Sequence, residues 1–353
     1  MKKILKLIAV AFVAILIYSF LAVVASAEDT GEQYTVKSGT EGYSVLLGTE
    51  EILKGGELST LLTSLPSGAR VYFDGIETDE LITLRSGEYT LSGSIRFLSE
   101  GGVLVDGAAI CHSGLSLSLD NGTVRIRRGE YALVSGYIIS NGVALTLDGF
   151  ASARFVMTGG GVRAASYALY LEEGSANILG GSLSSLARAA VYSSSELVLS
   201  GEVSVFGGEY SVACTAPITL YEGGATQSAK LSVLYLGEVA KGALEPLVYS
   251  KRADDTHGIT VFSKSGAVKC VWREGCLFAW DPYRISLHVD GEEYKTVEFA
   301  VGDALSAPCA PERAGYTFSG WYTRDGELLT LVGHPFPISP FTQDIALLLP
   351  RFW

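Results

Sequence analysis

From Leu81 to Leu220 the chain alternates apolar and polar residues in short runs cut by glycine. The strictest is Leu115-Ser116-Leu117-Ser118-Leu119, and Val124-Arg125-Ile126, Glu196-Leu197-Val198-Leu199 and Pro217-Ile218-Thr219-Leu220 follow the same rule. A period of two is that of a strand with one face buried, and runs this short are not helices. The leucines of 115–119 are therefore expected inside and the serines outside. Between the runs stand Ser-Gly, Gly-Gly, Asp-Gly and Asn-Gly pairs, which turn the chain.

The runs also repeat at a longer interval. Ala168-Leu169-Tyr170, Ala190-Val191-Tyr192 and Ser211-Val212-Ala213 can be superposed, starting about 22 and 21 residues apart. A unit of this length cannot bury its own apolar side and must stack on a copy of itself. The spacing predicts an all-β chain whose middle is a right-handed parallel β-solenoid, with coils ~4.8 Å apart. In this respect 57–229 resembles pectin-lyase-like β-helices. About seven coils fit between Arg70 and Glu222, and Leu58, Leu61, Leu62 and Leu65 lie at helical spacing before Pro66, as a cap on the first coil. Residues 28–56 read as a flexible leader, and 230–282 as either the end of the solenoid or a small β connector.

The last 70 residues carry a more specific pattern. Ile285 to Gly291 and Val297 to Asp303 are strand-like, followed by Pro308, Pro311, and Gly315-Tyr316-Thr317-Phe318-Ser319-Gly320-Trp321. Thr342-Gln343-Asp344-Ile345-Ala346-Leu347 and the final Trp353 complete it. Residues 283–353 thus resemble the internalin B-type, or Listeria-Bacteroides, repeat of bacterial surface and secreted proteins. That resemblance implies a β-grasp-like module and a cell-envelope setting, with Gly315, Tyr316, Phe318, Gly320, Trp321 and Trp353 as its signature. Asp290-Gly291-Glu292 departs from the family's Asn-Gly-Gly turn. The aromatic residues suit a mini-core, because large rigid rings bury much area at little rotamer cost.

At the other end, Lys2, Lys3 and Lys6 precede the apolar run Leu7 to Val24 and the small-residue site Ala25-Ser26-Ala27. Residues 1–27 are expected to be a signal peptide cleaved at the Ala25/Ala27 pattern; uncleaved, the segment would be a membrane anchor. Either way the rest of the chain is extracytoplasmic, secreted or in the cell envelope. The formal net charge is -12, and loss of the three lysines leaves about -15, which argues against nucleic-acid partners. Five cysteines, Cys111, Cys214, Cys270, Cys276 and Cys309, cannot all pair internally. Cys270 and Cys276 flank a hairpin tip and could bridge two strands.

No chemical motif stands out. His112, His257, His288 and His334 lie in separate contexts, so neither a metal nor a cofactor is expected. If the solenoid cleaved polysaccharide, its acids would form a row across adjacent coils, and Asp106, Asp120, Asp148 and Glu172 with Arg125, Arg127 and Arg163 are the candidates. The three aspartates, however, stand in turn settings. Arg125-Ile126-Arg127-Arg128 is a basic spot where an anionic glycan could dock. The expected function is an exported, non-catalytic scaffold with an interaction or adhesion module, whose partner is a wall or extracellular glycan or a surface protein. The alternatives are a carbohydrate-active enzyme and a lectin-like glycan binder.

Overall fold

A computed structural model describes residues 32–187, 189–221, 231–250, 259–263, 269–289, 292–301, 303, 311–312, 314–315, 318–322, 328–329 and 345–352. The expected signal peptide with Ala25 and Ala27 lies outside them, as do Cys309, Tyr316 and Trp353. The chain divides into two units. The first reaches Leu236 and takes in Ser250–Val261, and the second is Gly237–Tyr249 with Phe262–Trp353.

The first unit is a β-solenoid of about seven turns. Parallel pairing runs in three columns with 19 to 24 residues between partners. The first column pairs Tyr89, Ile110, Tyr131, Phe155, Ala176, Leu197 and Ile218 in succession. The second pairs Ile95, Leu117, Ile138, Val162, Leu183 and Val205. The third pairs Val103, Val124, Leu145, Leu169, Val191, Val212 and Val233. All of these side chains are buried. Leu169, Val191 and Val212 are the middle residues of the three runs that superpose in the sequence, so the repeat is the coil. Leu115, Leu117 and Leu119 face inward, as their alternation predicts.

Residues 33–55 correct the expectation of a flexible leader. They form β1 (Gln33–Gly39), β2 (Gly42–Leu47) and β3 (Glu50–Gly55), joined as an antiparallel meander. β1 pairs in parallel with 70–73, Val36 opposite Phe73, and so continues the stack by one rung. The segment's polar composition hid one inward residue in each of β1 and β2: Val36 and Val45 are opposite each other and fully buried. The helix α1 (Leu58–Thr63) follows, with Leu58, Leu61 and Leu62 buried. Leu62 lines an interior pocket with Phe73, Ile82, Leu84, Leu91 and Phe97. The Leu58 N–H donates to the Glu80 carboxylate at 2.8 Å, and the Thr83 N–H donates to Ser59 Oγ at 3.1 Å. These bonds tie the helix to the first full coil.

One polar side chain interrupts the interior. His112 sits between Leu91 and Leu133 in an otherwise aliphatic ladder and is fully buried. Its Nε2 is 2.7 Å from the Leu115 carbonyl, which can only accept, so Nε2 carries the proton. Nδ1 then accepts from the Tyr131 hydroxyl, also at 2.7 Å. Gly136, at φ +99°, passes beside this ring, where a Cβ would strike the Leu115 backbone. Burial lowers the His112 pKa to about 4.

In the second unit, Leu244–Ser250 and Lys269–Arg273 both pair antiparallel with Cys276–Trp280. A second, five-stranded sheet combines Tyr283–Val289, Glu292–Phe299, Phe318–Tyr322, Leu328–Leu329 and Ile345–Phe352. The Ile345–Phe352 strand lies between Tyr283–Val289, to which it is parallel, and Phe318–Tyr322. Residues 230–282 thus divide: 231–236 and 259–261 belong with the solenoid, whereas 244–249 and 269–280 make a small sheet of the second unit.

The hairpin of Cys270 and Cys276 is present, but the disulfide is not, and both thiols are free. Cys270 is opposite Ala279, and Cys276 is opposite Arg273. Since side chains alternate and 270 is three residues from 273, the two sulfurs leave opposite faces of the ribbon.

Two predictions follow from the ladder. Folded His112 takes a proton only near pH 4, whereas in the unfolded chain it does so near 6.5, so its contribution is complete above pH 6.5 and lost as the pH falls through that interval. About 2 kcal/mol of stability should vanish between pH 7 and pH 5, seen as a lower urea midpoint, and His112→Leu should flatten that part of the profile. Leu199→Asp buries a charge between Ile178 and Leu220. Hydrogen exchange should then show several neighbouring coils opening together, because a coil without its neighbour cannot hold its fold.

Candidate functional site

The third column gives way to the first at a corner that four residues normally cross: Val105 to Ala109, Ile126 to Glu130 and Leu171 to Ser175. In one coil the same corner takes seven, from Leu147 to Arg154. The three extra residues lift Phe150 out of the stack, where it is 46% exposed. Arg127 and Arg128, one coil earlier, lie over its ring, their guanidinium carbons 5.9 and 5.6 Å from the centroid. Such contacts carry modest energy, ~0.5–1 kcal/mol each at exposed sites.

Each candidate aspartate meets an arginine on an adjacent coil. Asp106 accepts from Arg128 Nε at 2.7 Å, and Asp148 from Arg125 Nε at 2.9 Å. Asp120 takes Arg96 at 3.2 Å on the second face, away from the other two. The row of acids therefore assembles only in part: Asp106, Asp148 and Glu172 each follow a registered residue of the third column, Val105, Leu147 and Leu171, whereas Asp120 stands apart. The hydrogen bond from Arg128 is the main influence holding the Asp106 carboxyl below its ordinary range, and the charges of Arg127 and Arg85 add to it. Arg163 lies on the second face between Ile139 and Ser184. Among the described residues no group of three or more His, Cys, Asp or Glu is placed to hold a metal ion.

Outward from the third column, Arg125, Thr146, Tyr170 and Tyr192 succeed one another on consecutive coils. Tyr170 and Tyr192 stack with centroids 4.6 Å apart and planes 16° from parallel, and Tyr167 stands edge-on to both. Burial, and then the charge of nearby Glu172, push the Tyr170 hydroxyl up; Asp148 acts on it as well. The tyrosines and the arginine corner therefore adjoin. Sequence reading picked out Arg125, Arg127 and Arg128 but missed Arg85, Phe150 and the tyrosine stack. Counting residues between superposed runs would have exposed the three-residue insertion.

In the second unit Trp321 is buried, opposite Leu329 and Pro350 and with the Tyr294 ring 5.8 Å away. Gly315 turns at φ +80°, and Phe318 and Gly320 lie in the Phe318–Tyr322 strand. Residues 283–330 match the family model of the Listeria-Bacteroides repeat domain. No curated protein and no solved structure matches the chain. The matched repeat supplies four of the five strands of its sheet, and Ile345–Phe352 adds the central one.

The repeat is also tied to the hairpin before it. Arg273 forms a two-pronged ion pair with Asp303, whose Oδ2 lies 2.8 Å from Arg273 Nη2 and accepts the Ala300 N–H at 2.8 Å. Lys269 and Arg284 share Glu298, the latter at 3.0 Å. These bonds hold both carboxyls below their ordinary range, the Asp303 carboxyl chiefly through Arg273 and the Glu298 carboxyl chiefly through Lys269. Burial pushes the Cys214 thiol up to about 12 and the Cys276 thiol up to about 11. Asp303→Asn should cost the second unit about 1 kcal/mol, and a double-mutant cycle with Arg273→Ala, read by thermal unfolding, should assign most of that loss to the pair.

Proposed function

We propose that the protein is an exported, non-catalytic scaffold of the cell surface or its surroundings, in which the solenoid is a stiff rod and the Listeria-Bacteroides repeat an interaction module. The observation that carries this reading is the match of 283–330 to that repeat in the same chain as a solenoid of about seven turns. The non-catalytic part draws support from the aspartates. Hydrolysis of a glycosidic bond needs two carboxyl groups facing one space, about 5 to 10 Å apart, one of them kept protonated. Here Asp106, Asp120 and Asp148 are each engaged by an arginine, and Asp120 stands on a different face from the other two. A glycan-binding role is the second reading, favoured by the exposed Phe150 ring beside the arginines and the half-buried tyrosines near it.

Fractionation with protease shaving of intact cells tests the location: the chain should be degraded from outside, and full protection would defeat the proposal. The purified chain, incubated with extracellular polysaccharides, should release neither reducing ends nor unsaturated sugar. Turnover abolished by Asp148→Asn would establish the enzyme instead.

A further inference from the structure

The arginine corner holds more positive charge than the fold uses. Asp106 lies within the field of Arg128, Arg127 and Arg85, and only Arg128 is bonded to it. Arg85 and Arg127 have no ion-pair partner among the described residues. Across Arg85, Arg125, Arg127, Arg128, Asp106, Asp148 and Glu172 the sum is four positives and three negatives, a local excess of one in a chain of net charge -12. The three-residue insertion then adds an exposed ring at this same corner, although the neighbouring coils pack without it. An uncompensated guanidinium over an aromatic ring, with a second one beside the same aspartate, suits a carboxylate or phosphate, which it grips through paired N–H donors.

We propose that Arg85, Arg127, Arg128 and Phe150 form a binding site for an acidic polysaccharide of sparse charge. One anionic group is gripped by Arg127 and Arg85, and a neutral sugar ring lies against Phe150, with the next sugars passing toward Tyr170. The sparseness follows from electrostatics. A dense polyanion gains at the corner but is repelled by the rest of an acidic chain, whereas charges separated by neutral sugars meet the local excess alone within the ~8 Å screening length. The same repulsion disfavours nucleic acid. The inference rests on the extracellular reading, which brings such polymers within reach.

The full chain would be titrated by calorimetry with four probes: a hyaluronan hexasaccharide with one carboxylate per disaccharide, dextran bearing occasional phosphate monoesters, unmodified dextran, and a single-stranded oligonucleotide. The expected result is binding of at least one acidic probe at least tenfold tighter than unmodified dextran and weakened by salt. The preferred acidic probe tells whether a carboxylate or a phosphate is the natural anion. Arg85→Ala with Arg127→Ala should lower that affinity at least tenfold, and so should Phe150→Ala, whereas Arg96→Ala on the second face should not. Circular dichroism of each variant checks that the solenoid is intact. Equal binding of acidic and neutral probes, undiminished binding by the folded double variant, or tighter binding of single-stranded oligonucleotide would overturn the proposal. Because the titration uses purified protein, retention of the chain inside the cell would defeat the extracellular reading without touching the binding result.

Discussion

The solenoid depends on the registered meeting of apolar side chains from successive coils. A coil of about 21 residues gains its backbone hydrogen bonds and its buried area only from the coils above and below, so neither can be optimised alone. Register is the constraint that makes this possible. A slip of one residue would turn Leu117 and Ile138 to solvent and bring Ser118 and Ile139 inward along the whole column. The small backbone detours at the corners, such as the one at Gly136, absorb differences in coil length without disturbing the ladders. The rod is closed at its first end by β1 and α1, which spend an added strand and three leucines on covering an edge that would otherwise pair with other chains.

That constraint also explains where variation is tolerated. Inward positions are aliphatic with few exceptions, and His112 is accepted because both ring nitrogens find partners within one coil of it. Outward positions and corners are free of the packing rule, so charge, rings and insertions collect there. The 147–154 corner is the clearest case: three residues are added, the pairing on both sides resumes in register, and the only visible outcome is Phe150 beside two arginines.

The second unit is built on another principle. Its sheet is mixed, with a late strand inserted between strands formed much earlier in the chain, and Trp321 is buried in it along with Ile285, Leu287 and Phe299. The two-pronged Arg273–Asp303 contact joins residues outside the matched repeat to residues within it, so that the hairpin and the repeat share one set of bonds.

The sequence alone determined the strands, the coil length and the inward face, because a period of two and a period of about 21 are both written in residue order. It determined the repeat module as well, through the spacing of Gly315, Phe318, Gly320 and Trp321. It misjudged 33–55, where one buried valine in each of β1 and β2 is too faint a signal against polar neighbours, and the Cys270–Cys276 bridge, where closeness along the chain says nothing about which face of a ribbon a sulfur leaves. Only the tertiary structure decided which arginine meets which aspartate and which rings stand together. Asp106 and Arg128 are 22 residues apart in the chain, and Tyr170 and Tyr192 are likewise 22 apart. Such pairs become neighbours only when the coils stack, since the ~4.8 Å step between coils brings together what a full turn of chain separates.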